Sequence, residues 1–176
     1  MLYVARHGQT AWNAQNKVCG ITDVELTGKG REQAKELASV VESKNIKRII
    51  TSPLNRAVDT SKIVAEICKI PYEVDERLIE QNYGIFEGVD RKTEAFLNNK
   101  RNFAHKYPGG ESMMQVAYRI YGFMDEVKSK YGDENILIIS HGGVCRIIHT
   151  YFHDMTNEEF FYYALKNGEV KKYEYH

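Results

Sequence analysis

Cysteine and proline are both scarce, with three of each in 176 residues. Cys19, Cys68 and Cys145 are odd in number, far apart and outside any Cys-x-x-Cys spacing. That excludes a disulfide framework or a zinc knuckle and fits free thiols in a reducing compartment. With so few prolines, and with no repeat, low-complexity tract or Gly/Ser-rich stretch, nothing marks a linker, so residues 1–176 are expected to form a single domain. Excess charge is absent as well: 24 Lys+Arg balance 24 Asp+Glu. A strongly basic nucleic-acid binder is thereby excluded, and any anionic ligand must be held by a few placed cations, because no global positive field gathers it. No apolar run approaches the roughly 18 residues of a membrane span, and Arg6 and His7 arrive too early for a signal peptide. The expectation is a cytoplasmic protein with neither a membrane nor a nucleic acid as partner.

What is present is enough for a core. Hydrophobic residues make up 43% of the chain, and a domain of this length buries roughly 70% of the surface it would expose unfolded. Leu2 to Ala5, Ile46 to Thr51 and Ile136 to Ile139 are apolar runs without polar alternation, the pattern of strands covered on both faces of a parallel sheet; Tyr72 to Asp75 is a weaker fourth. Between them lie helical periods: Ala34, Leu37, Ala38 and Val41; Ala57, Ser61, Val64 and Cys68; Val116, Ala117, Ile120, Phe123, Met124 and Val127. Ser112 and Gln115 form a capping box, and Ser52-Pro53 reads as a side-chain cap followed by proline at the first helical position. Phe160 to Leu165 and Glu169 to Tyr175 flank Lys166-Asn167-Gly168, a strong hairpin signal. The expected fold class is α/β: a three-layer α/β/α sandwich with a mostly parallel sheet and a late antiparallel strand.

In an open α/β sheet, ligands sit beyond the carboxyl ends of the strands, and polar residues follow every predicted strand. After the first come Arg6-His7-Gly8-Gln9-Thr10, then Trp12 and Asn13; after the second Ser52-Pro53-Leu54-Asn55-Arg56; beyond the third Glu80, Tyr83-Gly84 and Glu87-Gly88; after the fourth Ser140-His141-Gly142-Gly143. Taken singly, each has an ordinary reading: a strand-end pair, a solvated helix arginine, a loop carboxylate, a turn cap. Together, two arginines, two histidines and a carboxylate at one sheet edge are what a phosphoryl group asks for. Arginine matches its oxygens with a planar fork, a helix N-terminus adds backbone donors, a neutral imidazole attacks phosphorus, and a carboxyl group protonates the leaving alkoxide.

With those motifs, the chain resembles the histidine phosphatase superfamily, the phosphoglycerate mutase-like group, from residue 2 to about residue 146. Asp23-Val24-Glu25-Leu26-Thr27 with Gly30, Arg56-Ala57 with Thr60, and Pro108-Gly109-Gly110-Glu111-Ser112 continue the resemblance in family order. It implies a two-step reaction with His7 as nucleophile and a phosphohistidine intermediate. Arg6, Arg56 and His141 then surround the phosphoryl group, Asn13 adds a hydrogen bond, and Glu80 serves as acid and then base. Gly142, Cys19, Gly20 and Tyr83 are carried over as substrate-side residues, and no metal or other cofactor is expected.

The family contains both phosphatases and mutases. The chain has no room for the full mutase insertion between the Glu and second His motifs, and its Pro-Gly-Gly-Glu-Ser run is similar to the phosphatase branch, so hydrolysis of a small phosphorylated metabolite is the favoured expectation. Arg91, Lys92, Lys100, Arg101, His105 and Lys106 keep a mutase open as sites for a second anionic group; the plainer reading is a solvated surface. A non-catalytic phosphoryl-binding protein is the third possibility, although neither the nucleophile nor an arginine is missing. His149 and His153, four residues apart with Asp154 next, have metal-pair spacing but more simply serve as surface or capping groups. The tyrosine-rich stretch from Phe160 to Tyr175 suggests a half-buried hairpin face, with a homodimer edge as the alternative.

Overall fold

The computed structural model describes residues 1–175. The chain runs β1 (Leu2–Arg6), α1 (Ala11–Ala14), α2 (Gly28–Glu42), β2 (Arg48–Thr51), α3 (Asn55–Cys68), β3 (Tyr72–Val74), α4 (Glu94–Arg101), α5 (Met113–Tyr131), β4 (Ile136–Ser140), α6 (Gly142–Phe152), α7 (Asn157–Tyr162) and β5 (Val170–Tyr173), with short 3₁₀ turns at Glu76–Leu78 and Gly84–Phe86. The strands form one sheet in the order β3-β2-β4-β1-β5. β1 to β4 are mutually parallel, and β5 runs antiparallel along β1. This is the α/β architecture expected from the sequence, late antiparallel strand included.

Alternation along the strands explains why the apolar runs show no polar period. Leu2, Val4, Ile136 and Ile138 point into a core built with α5 and α6. Tyr3, Ala5, Leu137 and Ile139 point the other way, onto Leu37, Ala38, Val41, Ala57 and Val64 of α2 and α3. A sheet covered on both faces has no solvent side to require polar residues. A third cluster, Val18, Tyr83, Phe86, Phe96 and Tyr107, lies apart from these two. Edge-to-face ring contacts order it, at centroid distances of 5.1 Å for Tyr83–Tyr107 and 5.7 Å for Phe86–Tyr107.

Two local expectations are corrected. The stretch Phe160 to Leu165 is not a hairpin arm: its first part is helical, in α7, where Thr156 and Glu159 form a capping box and Phe160 and Phe161 turn into the core. β5 pairs instead with the open edge of β1. Gly168 still makes a turn at φ +76°, and its N–H donates to Arg6 O at 3.0 Å. The second correction concerns Ser52, which is not the N-cap of α3. The helix begins two residues later, with Leu54 as N-cap and no side-chain cap. The capping box of Ser112 and Gln115 is as expected.

Ile138 is fully buried on β4, between β1 and β2. Ile138→Ala is expected to cost about 2–5 kcal/mol, read from the urea unfolding midpoint.

Candidate active site

Sheet register brings the two histidines together. Arg6 pairs with Ser140 across β1 and β4, and His7 N–H donates to Ser140 O at 3.0 Å. The residues that follow, His7 and His141, are therefore neighbours, with ring centroids 5.0 Å apart. On the other side of β4, Thr51 pairs with Ile139, and Ser52 N–H donates to Ile139 O at 3.1 Å. That sets Ser52 Oγ 2.6 Å from His141 Nε2.

The hydrogen bonds define which nitrogen does what. His7 Nδ1 lies 2.6 Å from Gly8 O. A carbonyl only accepts, so Nδ1 carries the proton and the Nε2 lone pair is free for attack. Burial, with Arg56 and then Arg6 adding repulsion, holds His7 well below the ordinary imidazole value. Burial, then Arg56, His7 and Arg6, hold His141 well below it as well. Both rings are therefore neutral at pH 7. For His141, Nδ1 is buried with no partner among the described residues. Ser52 Oγ accepts from Leu54 N–H at 3.3 Å, and its O–H is in place to donate to His141 Nε2 at 2.6 Å. The proton on His141 is then at Nδ1, as a donor.

The guanidinium groups are held by neutral oxygens. Arg56, fully buried, donates to Thr22 O at 2.9 Å and Gly20 O at 2.5 Å. Arg6 donates to Leu165 O at 2.9 Å. The Nε of each is buried and has no partner among the described residues. Asn13 Oδ1 takes N–H groups from Thr10 and Asn167, at 3.1 Å each, so its amide nitrogen is the end left to donate. Glu80, 4% exposed, accepts from Gln81 N–H at 2.8 Å and from Gly143 N–H, in the first turn of α6, at 2.9 Å. Arg119 of α5 secures the turn before it by donating to the carbonyls of Arg77 and Glu80 while pairing with Glu111.

Arg6, His7, Asn13, Cys19, Glu80, Tyr83 and Gly142 line one cavity. His141 and Arg56 stand behind that wall, next to His7. Gly20 is not among the lining residues; it contributes the carbonyl that holds Arg56, and its N–H goes to Glu87, whose carboxylate also receives N–H groups from Ile21, Thr22 and Tyr83. Of the basic segment, Arg91 and Lys100 line the cavity, whereas Lys92, Arg101, His105 and Lys106 are exposed. His149 stacks on Tyr163 at 4.3 Å and bonds Tyr173 OH at 3.1 Å; burial, then Lys171, pulls it down to about 4. Among the described residues no group of three or more His, Cys, Asp or Glu side chains is arranged to hold a metal.

Sequence reasoning missed two residues. Ser52 has the signature of a helix cap and acts instead on His141. Arg146 lines the cavity from α6; the signal that could have found it is a single charged residue in the otherwise apolar run Val144 to Ile148.

Two buried neutral imidazoles, two guanidiniums and a carboxylate at the carboxyl ends of parallel strands form a set suited to phosphoryl transfer. The chain belongs to the histidine phosphatase superfamily (branch 1), whose family model matches residues 2–176. A relative named probable phosphoglycerate mutase GpmB, from Escherichia coli O1:K1, is 33% identical over 148 residues, 80% of this chain and 69% of that protein. The structure is similar to that of a mycobacterial glucosyl-3-phosphoglycerate phosphatase (TM-score 0.84, 26% identity, 96% of this chain and 87% of that one). It is equally similar to YhfR of Bacillus stearothermophilus (TM-score 0.84, 28% identity, 96% and 88%).

The depressed histidines make stability pH-dependent. In the unfolded chain they take up protons below about pH 6.5, whereas His7 and His141 stay neutral in the fold, so the unfolding free energy is expected to fall as pH drops below that value. Urea midpoints at pH 7.5 and 5.5 measure it; an equal midpoint at both contradicts the neutral pair.

Proposed function

We propose that this protein is a metal-independent phosphatase of small phosphomonoesters, working through a phosphohistidine on His7. The observation that carries the reading is the lock of His7 Nδ1 on Gly8 O beside three donors with no partner among the described residues, Arg6 Nε, Arg56 Nε and His141 Nδ1. Nε2 of His7 attacks phosphorus and the ester P–O bond breaks. Glu80 delivers a proton to the leaving oxygen, then takes one from the water that attacks the phosphohistidine, and inorganic phosphate leaves. Arg6, Arg56, His141 and the Asn13 amide neutralise the non-bridging oxygens, the cationic part that positioning and charge must play in phosphoryl transfer. Gly142 and Gly143 open α6 at the same point, with Cys19 and Tyr83 on the substrate side. Three free cysteines support a cytoplasmic location for this single catalytic domain. The phosphatases of similar structure support hydrolysis. Phosphoryl transfer between phosphoglycerates is the second reading, favoured by the relative named a mutase.

The test is phosphate release from a panel of small phosphomonoesters in the presence of a chelator. Release is expected to survive the chelator and to vanish in His7→Ala; a fully active His7→Ala overturns the mechanism. Phosphoryl exchange on 3-phosphoglycerate with a bisphosphate primer, in the absence of net hydrolysis, selects the mutase reading.

Gly143 supplies a finer probe. A Cβ there would lie 2.6 Å from Glu80 Oε1 and 3.2 Å from Tyr83 OH, so the buried carboxyl group must shift from its bonds to the Gln81 and Gly143 N–H groups. Gly143→Ala is therefore expected to lower turnover on the order of a hundredfold and to lower the urea midpoint modestly.

A further inference from the structure

The turn that leads into β5 reaches His7 from 160 residues downstream. Hydrogen bonds fasten it to the end of β1. Arg6 N–H donates to Glu169 O at 3.1 Å and Gly168 N–H to Arg6 O at 3.0 Å; the Arg6 guanidinium donates to Leu165 O at 2.9 Å, and the Asn167 side-chain amide to His7 O at 3.0 Å. On its other side the turn presses against α2, where a Cβ at Gly168 would lie 2.8 Å from Gln33 Cβ.

The Asn167 amide nitrogen has two protons and meets three oxygens. His7 O and Asn13 Oδ1, at 3.0 and 3.1 Å, take one each, and Gly8 O stands further off at 3.4 Å. Carbonyl oxygens only accept, so the surroundings fix which end of the Asn167 amide faces them. Each of the two shorter bonds acts on a group of the phosphoryl site. Asn13 Oδ1 also accepts from Thr10 N–H at 3.1 Å, so two donors occupy its oxygen and leave its nitrogen for the cavity that Asn13 lines. The bond to His7 O pins the peptide between His7 and Gly8, whose N–H donates to Thr60 Oγ1 at 3.1 Å. With both ends of that plane held, the next carbonyl, Gly8 O, is kept where His7 Nδ1 meets it at 2.6 Å. Glycine has the widest backbone freedom of any residue, so the direction of that carbonyl depends on what holds the peptide before it. Asn167 is not among the residues lining the cavity and acts through these two groups.

We propose that Asn167 is a positioning residue of the phosphoryl-transfer site: one side-chain amide sets the donor end of Asn13 and steadies the carbonyl that fixes the His7 tautomer. The inference rests on the phosphatase reading for its effect on rate. The tautomer and the affinity for an anion can be read without turnover.

Asn167→Ala removes the amide, whereas Asn167→Asp keeps its shape and suits the turn but sets an unprotonated oxygen against His7 O and Asn13 Oδ1. On the panel ester turned over fastest, kcat is expected to fall on the order of tenfold to a hundredfold in Asn167→Ala, with KM changing less, and to fall further in Asn167→Asp. In an Asn13→Ala background the loss caused by Asn167→Ala should shrink by about threefold or more, because one of its two routes is gone. Titration with inorganic phosphate should show weaker binding in both Asn167 variants. Nitrogen-15 NMR of the imidazole rings should show His7 of the native protein as the Nδ1–H tautomer, with the Nε2–H form emerging in Asn167→Ala. Urea midpoints establish that each variant is folded, and Asn167→Ser, small and suited to a turn, replaces either one that is not. If the native protein hydrolyses no ester but the tautomer and the phosphate affinity respond to these variants, the phosphatase reading fails and the positioning role stands. Folded variants with native kcat overturn that role. So does an unchanged His7 tautomer together with losses that simply multiply with that of Asn13→Ala.

Discussion

Buried guanidiniums anchored by backbone carbonyls are the interaction on which the rest of the site depends. Arg56 is wholly inside the protein, yet it is held by Thr22 O and Gly20 O, and Arg6 is held by Leu165 O. A carboxylate partner would stabilise each charge more strongly, but it would also neutralise it. A carbonyl satisfies an N–H and leaves the charge in place. The same charge keeps His7 and His141 neutral, because an imidazolium between two arginines in a dry pocket is doubly penalised. One arrangement therefore keeps two guanidinium charges in place and both imidazoles neutral.

Holding those carbonyls in place takes the loops that cover the sheet edge, and one carboxylate ties them together. Glu87 receives N–H groups from Gly20, Ile21, Thr22 and Tyr83. The loop that holds Arg56 is thus joined to the segment that follows Glu80. Arg119 fixes that segment from beneath through Arg77 O and Glu80 O. Asn167, in the turn before β5, donates to His7 O and to Asn13 Oδ1, so the late antiparallel strand contributes to the site as well as to the sheet. Positioning of this kind sets how much of a phosphoryl-transfer barrier a protein can remove, since the covalent demands are small.

Arg91, Lys100 and Arg146 line the same cavity as His7, together with the rings of Tyr83, Phe96 and Tyr107.

The sequence by itself determined the sheet and which residues gather at its carboxyl edge. Leu2 to Ala5 and Ile136 to Ile139 were legible as buried strands because a sheet covered on both faces leaves no polar period. His7, Glu80, His141, Arg6 and Arg56 were legible because the functional ends of parallel strands follow directly on those runs and keep family order. Tertiary structure decided the rest. Phe160 to Leu165 carries residues fit for either a strand or a helix, and the open edge of β1 took β5 while the core took Phe160 and Phe161. Ser52 before a proline has the same local signature whether it caps a helix or donates to a histidine; the register of β2 on β4 chose the histidine. Arg146 sits in a helix buried over nearly all of its first two turns, where periodicity points to no face, and Arg91 and Lys100 share a segment with cations that stay in water. Which charge enters a cavity depends on contacts between elements distant in sequence, and local pattern carries no information about those.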